Sequence, residues 1–234
     1  MITITLLLSI ILIASCPFVN MKKLYDKNSR YYRFLLYSST AIGLIYSRVK
    51  VEVKGLEKIP EGRFLLVANH KSKFDPIVTW HAMRKYDLAY ISKKENFSIP
   101  VFGRIIRRNC FMDIDRKSPR SAVKTVNHAA KLIKDGIVSV GVYPEGTRNN
   151  GEGLLPFHSG IFLVATKSDA PVVIAATEKT EKIRSNFPRK TVVTLNILDV
   201  ISSEEVKGMT TKELSERSYN TISEFINGNR SKTA

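Results

Sequence analysis

Only two cysteines, Cys16 and Cys110, occur in 234 residues. They are too few and too far apart for a disulfide framework or a thiolate metal site, and no histidine or cysteine cluster stands at zinc-ligand spacing. A reducing compartment and a metal-free protein are therefore expected. Glycines are equally uninformative as a phosphate cradle, because Gly146, Gly151 and Gly153 do not make a phosphate-binding loop, which argues against a nucleotide-binding enzyme. Internal repeats, interdomain linkers and low-complexity tracts are absent. Acidic residues are scarce, 21 against 37 Lys and Arg, for a formal charge of +16. That excess suits an anionic partner, whether nucleic acid, membrane surface or phosphorylated substrate. Helix-turn-helix, finger and aromatic RNA-binding signatures are missing, so no nucleic acid is expected as partner.

Charge of either sign is missing altogether from residues 1–21, and 2–19 are almost wholly apolar, close to the roughly 20 residues needed to span a bilayer. The positive charges Lys22, Lys23, Lys27, Arg30 and Arg33 follow this run, whereas a secretory signal carries them in front. The expectation is a single N-terminal anchor with the remainder on the cytoplasmic side; the short chain favours a bacterial inner membrane. Ile13-Ala14-Ser15-Cys16 is similar to a lipobox, but the uncharged leader argues against export. A second apolar stretch, 34–46, is too short to span and contains Ser38, Ser39 and Gly43. It reads as an interfacial helix paired with the first, the alternative being a core helix.

From residue 49 onward, strand-like runs at 49–53, 64–68, 88–92, 110–114, 138–143, 172–177 and 191–198 are separated by helical or loop segments. The fold class expected is α/β: a mixed sheet flanked by helices, behind an N-terminal membrane-associated helical segment. Two regions follow, 1–48 as anchor and interfacial helix and 49–234 as the α/β domain. One helix is bounded clearly: Ser118 caps it, Pro119 starts it, and Ala122, Val123, Val126, Ala129, Ala130 and Ile133 form its apolar stripe before Gly136 ends it. A closing helix over 212–227 has Thr210 and Glu213 as a capping box and Gly228 as C-cap.

Chemistry concentrates after two of these strands. The apolar run 64–68 leads into Asn69-His70-Lys71-Ser72-Lys73-Phe74-Asp75, with Asp75-Pro76 reading as N-cap and first turn of the next helix. Histidine accepts a proton near neutral pH, and a carboxylate on its other ring nitrogen would fix the tautomer, so His70 and Asp75 form a candidate dyad. The run 138–143 similarly leads into Pro144-Glu145-Gly146-Thr147-Arg148. Two polar loops at strand ends suggest one shared pocket.

His-x-x-x-x-Asp followed by Pro-Glu-Gly-Thr-Arg resembles the glycerolipid acyltransferases, most closely those acting on 1-acylglycerol-3-phosphate. Pro100-Val101-Phe102-Gly103 with Ile114-Asp115-Arg116 is similar to the family's second block, and Ala170-Pro171-Val172-Val173-Ile174 to its closing block. The resemblance covers roughly 49–198, with departures at Tyr143 for the usual Phe, His158 for Lys and Ala170 for Val. It implies acyl transfer from acyl-CoA or acyl-carrier protein to the sn-2 hydroxyl, giving phosphatidic acid without a cofactor. His70 is then the base and Asp75 its orienter. Arg116 and Arg148 bind the phosphate of lysophosphatidic acid, and Glu145 holds Arg148 or a glycerol hydroxyl. Gly146 admits the substrate, Thr147 donates a hydrogen bond, and Lys94 contacts the oxyanion or phosphate. Arg104, Arg107, Arg108, Arg116, Lys117 and Arg120 form a basic patch expected to face the phospholipid membrane or the donor's phosphates. Other acceptors (glycerol 3-phosphate, a lysophospholipid, an acylated amino-acid lipid) and a noncatalytic membrane-tethered basic module are the alternatives.

Overall fold

The structure, a computed structural model, describes residues 2–115 and 118–230. Helix α1 (Ile2–Ser15) and helix α2 (Arg30–Tyr46) precede β1 (Val49–Lys54), β2 (Leu65–Ala68), α3 (Asp75–Ala82) and β3 (Leu88–Lys93). Then come α4 (Phe102–Arg108), β4 (Met112–Ile114), α5 (Pro119–Lys134), β5 (Ser139–Val142) and α6 (Leu163–Ser168). The chain closes with β6 (Val172–Glu178), α7 (Lys182–Asn186), β7 (Thr191–Ile201), α8 (Ser203–Gly208) and α9 (Thr211–Arg230). Every run expected as a strand is one, and the mixed α/β class is observed.

The sheet order is β1-β7-β6-β2-β5-β3-β4, parallel throughout except for the antiparallel β6–β7 pair. β2 and β5 are buried at every position, as a parallel sheet covered on both faces demands. Register places Val67 beside Val142 and Tyr90 beside Gly141, so β2, β3 and β5 end at the same edge of the sheet. β6, also parallel to β2, ends there too. Connections leaving that edge hold the candidate chemistry.

Helix α5 follows the expected chemistry at both ends. Ser118 Oγ accepts from Ser121 N at 3.3 Å, and Gly136, at φ +69°, donates to Ile133 O while Ile137 donates to Leu132 O. This is a Schellman closure, for which glycine carries no steric cost. Val123, expected on the buried stripe, is instead 54 % exposed and lines an apolar cavity. α9 begins with the expected box, Thr210 N to Glu213 Oε2 at 2.7 Å and Glu213 N to Thr210 Oγ1 at 3.3 Å. It runs through Gly228 rather than ending there, because its last turn has a partner: Asn229 Nδ2 donates to Glu178 Oε1 at 2.9 Å.

The helix within the N-terminal apolar run is shorter than the run itself. α1 stops at Ser15, where Pro17 lies in a 3-10 turn at Cys16–Phe18. Fourteen residues rise about 21 Å, short of the roughly 30 Å hydrocarbon core. No helix among the described residues is long and apolar enough to cross a membrane. α2 lies alongside α1, tied by Thr5 Oγ1 to Tyr46 OH at 3.2 Å and by Ser15 Oγ to Tyr31 OH at 2.7 Å. Tyr32, Leu35 and Leu36 of α2 belong to the main core, so that helix is partly a core helix. Its other face, with Phe34, Ile45 and Tyr46, is exposed, as is most of α1.

The three arginines of the expected basic patch that lie on α4 have partners within the protein, while Arg120 is exposed. Arg104 donates to the carbonyls of Cys16 and Val19, and Arg108 stacks on Tyr25 and Tyr32. Arg107, buried, lies over Phe97 and bonds Asp113 at 2.5 Å. An arginine fork satisfies stranded carbonyls and stacks on rings at once, and α4 uses both properties to hold the N-terminal segment. Arg116 and Lys117 lie outside the described residues.

Candidate active site

His70 is fixed from four directions. Its backbone N–H donates to Glu145 Oε1 at 2.6 Å and its carbonyl accepts from Asn149 N at 2.7 Å. The preceding Asn69, buried, bridges to β6 through Thr177 N to Asn69 Oδ1 at 2.8 Å and Asn69 Nδ2 to Thr177 O at 3.1 Å. Its ring stacks on Tyr143 with centroids 4.4 Å apart. Nδ1 lies 2.8 Å from Asp75 Oδ2.

Asp75 is fully buried, and its carboxylate accepts throughout: Oδ2 also takes Lys71 N and Ser72 N, each at 2.7 Å, and Oδ1 takes Thr177 Oγ1 at 3.2 Å and Thr180 Oγ1. It is not the N-cap expected. The carboxylate turns back onto the preceding loop, because desolvating a charge there is tolerable only with several donors around it. Holding Nδ1–H against an acceptor leaves Nε2 as the ring nitrogen able to take a proton.

Behind the dyad, Thr79 Oγ1 lies 3.1 Å from Tyr143 OH and also bonds Tyr90 OH. Burial raises the hydroxyl pKa of both tyrosines, so they remain neutral. Tyr90 lies against Gly141, where a Cβ would come within 2.4 Å of its ring. A side chain at position 141 is thus excluded.

Glu145 is buried and its two oxygens accept from His70 N and Leu155 N, the latter at 3.0 Å. Both oxygens brace backbone, and Arg148, which was expected as its partner, is exposed at the rim instead. Gly146, at φ +70°, closes the turn with its N–H on Tyr143 O at 2.9 Å and lines the site. Thr147 and Arg148 are exposed at the rim.

The dyad opens into a cavity of 390 Å³ to which Lys73, Lys93, Thr147 and Arg148 contribute. Lys94 is exposed on the turn Lys94–Ser98 and does not line it; its neighbour Lys93 does. Lys73 and the stacking of Tyr143 carried no signal in the sequence. Ile91, Tyr143 and Gly146 are shared with a second, mostly apolar trough of 480 Å³, walled by Val123, Val126, Ile161 and Leu163. No group of three metal-ligating side chains occurs among the described residues. Both cysteines are free and buried, and burial pushes the Cys110 thiol up to about 11, away from nucleophilic use.

A histidine held by a buried carboxylate thus opens on a cavity with a cationic rim and an apolar annex. The chain matches the acyltransferase family over residues 50–177 and belongs to it. Relatives include the chloroplastic 1-acyl-sn-glycerol-3-phosphate acyltransferase of Brassica napus, 31 % identical over 95 % of this chain and 63 % of that one. The enzyme of the same name from Haemophilus influenzae is 32 % identical over 63 % of this chain and 60 % of its own. This chain thus spans under two thirds of the length of these curated relatives. The crystal structure of the 1-acyl-sn-glycerophosphate acyltransferase of Thermotoga maritima shares the fold, with a TM-score of 0.70 at 23 % identity, covering 86 % of this chain and 80 % of the other.

Proposed function

We propose that this protein transfers a fatty acyl group from an acyl thioester to the sn-2 hydroxyl of 1-acylglycerol-3-phosphate, forming phosphatidic acid. The observation that carries the reading is the 2.8 Å contact of His70 Nδ1 with a buried Asp75, which leaves Nε2 for the acceptor hydroxyl. Nε2 takes the hydroxyl proton as the oxygen attacks the thioester carbonyl carbon. Collapse breaks the carbon–sulfur bond, and the imidazolium returns its proton to the departing thiolate. Asp75 stabilises the imidazolium and holds its tautomer. No protein nucleophile is needed, because the acceptor oxygen attacks directly.

Lys73, Lys93 and Arg148 supply positive charge for the acceptor's phosphate, with Arg116 a further phosphate contact from the motif. The apolar trough beside Tyr143 accommodates hydrocarbon. The exposed apolar residues of α1, among them Ile4, Leu7 and Ile10, seat the protein in a phospholipid membrane from one side. The acyl donor is a coenzyme A or carrier-protein thioester. The test is product formation from each donor with 1-acylglycerol-3-phosphate, glycerol 3-phosphate and a neutral lysolipid in parallel. Phosphatidic acid as the dominant product supports the reading; turnover of another acceptor alone transfers the same chemistry to it.

A further inference from the structure

We infer that the connection between β6 and β7, residues 179–190, is a second lipid-contacting surface that seats the opening at His70 on an anionic bilayer. This rests on the proposed lipid-directed activity for its purpose, but its own observations are separate from α1. The segment leaves the sheet at the edge that carries the dyad, and its root touches it: Thr180 Oγ1 donates to Asp75 Oδ1. Helix α7 turns Ile183 inward, where it packs with Leu44 of α2, Val78 of α3 and Val193 of β7. Its remaining side chains are thereby committed outward.

What faces outward is one aromatic tip inside a basic collar. Arg189 N donates to Asn186 O at 2.7 Å, closing a turn with Phe187 and Pro188 at its apex. Phe187 is 59 % exposed, and Lys179, Lys182, Arg184, Arg189 and Lys190 are exposed around it. The segment holds five basic residues against the single acidic Glu181. Beyond the segment, Lys190 acts on the carboxylate of Glu52, which Lys50 already pairs at 2.6 Å.

A single exposed ring is ordinary on a protein surface. Two features make this one different. Thr191 N donates to Arg48 O at 3.1 Å, so the segment adjoins the end of α2, where Ile45 and Tyr46 are 60 % and 47 % exposed. The segment that carries the tip is therefore joined to the end of α2, and its positive charge is complementary to anionic headgroups. An acidic carrier protein would use the same charges but has no need of an exposed apolar tip among them.

The test uses the full chain with phosphatidylcholine vesicles, with and without phosphatidylglycerol. The triple variant Arg184→Glu, Arg189→Glu, Lys190→Glu is expected to lose at least about tenfold of the preference for anionic vesicles, since each basic residue near such a surface contributes roughly fivefold. In a separate Phe187→Trp variant, indole emission is expected to shift to the blue on adding anionic vesicles. Both variants are expected to keep acyl transfer from acyl-CoA in detergent micelles. An unchanged preference together with an unshifted emission overturns the inference. So does a triple variant that binds vesicles normally but fails only with acyl-carrier protein as donor, which would assign the collar to the carrier. If the unmodified chain shows no acyl transfer at all, the activity reading fails while the vesicle measurements still decide this one.

Discussion

Glu145 provides the sharpest perturbation, because its role in the structure is mechanical. Both carboxylate oxygens are spent on backbone amides, one of them His70 N at 2.6 Å. Glu145→Ala leaves two N–H groups unpaired where the carboxylate stood, at about 1–3 kcal/mol each, so a loss of about 2–6 kcal/mol is expected. For a chain of this size that corresponds to a fall in Tm of roughly 4–24 °C. Glu145→Gln keeps the shape but only one acceptor oxygen, so it should lose about half as much. The pH dependence has a definite sign. Burial, the largest influence, raises the Glu145 carboxyl above its ordinary value, so the folded state favours its protonated form. Its contribution to stability is fully present below the unfolded pKa and declines as pH rises through the folded one. Glu145→Gln should flatten that decline. Calorimetry across pH beside kcat is the assay, with kcat expected to fall at least tenfold in Glu145→Ala as His70 loses its anchor. If Glu145→Ala matched the unmodified protein in Tm and kcat, the bracing role would be refuted.

Three further outcomes are expected. Asp75→Asn should lower kcat by about a thousandfold or more through loss of the tautomer and of imidazolium stabilisation, and steady-state kinetics with KM reported separately will show whether binding is spared. Lys93→Ala should raise KM for a phosphate-bearing acceptor by roughly 10-fold to 100-fold, the size of a lost charge-assisted contact, whereas Lys94→Ala should stay within about twofold; equal effects would contradict the assignment. Val123→Trp, filling the trough rather than the dyad cavity, should shift acyl preference toward shorter chains in a competition assay, and an unchanged chain profile would remove the trough from the substrate path.

The architecture was readable because strands buried on both faces are short continuous apolar runs, and each was bounded by polar or turn residues. The dyad was readable because His70, in the loop after β2, and Asp75, at the start of α3, are only five residues apart, so one short segment brings them together. The bracing contacts of Glu145 were not legible because its partners, His70 N and Leu155 N, are backbone groups that carry no signature. Asn69, Thr177 and Thr180 were missed because they meet only through the pairing of β2 with β6. The arginines of α4 looked like a surface patch since composition records charge but not the carbonyls and rings that consume it. Hydropathy over 2–19 does not show where α1 stops, because the 3-10 turn at Cys16–Phe18 leaves it unaltered.

The most direct test of the central claim is formation of phosphatidic acid from labelled acyl-CoA, and separately from acyl-carrier protein, with 1-acylglycerol-3-phosphate in detergent micelles, comparing the unmodified chain with His70→Ala. Matched unfolding curves would establish that both are folded. If Nε2 of His70 removes the acceptor's proton, product formation falls at least about a hundredfold in His70→Ala, within the usual contribution of a general base. Turnover by a folded His70→Ala at the unmodified rate would contradict the mechanism.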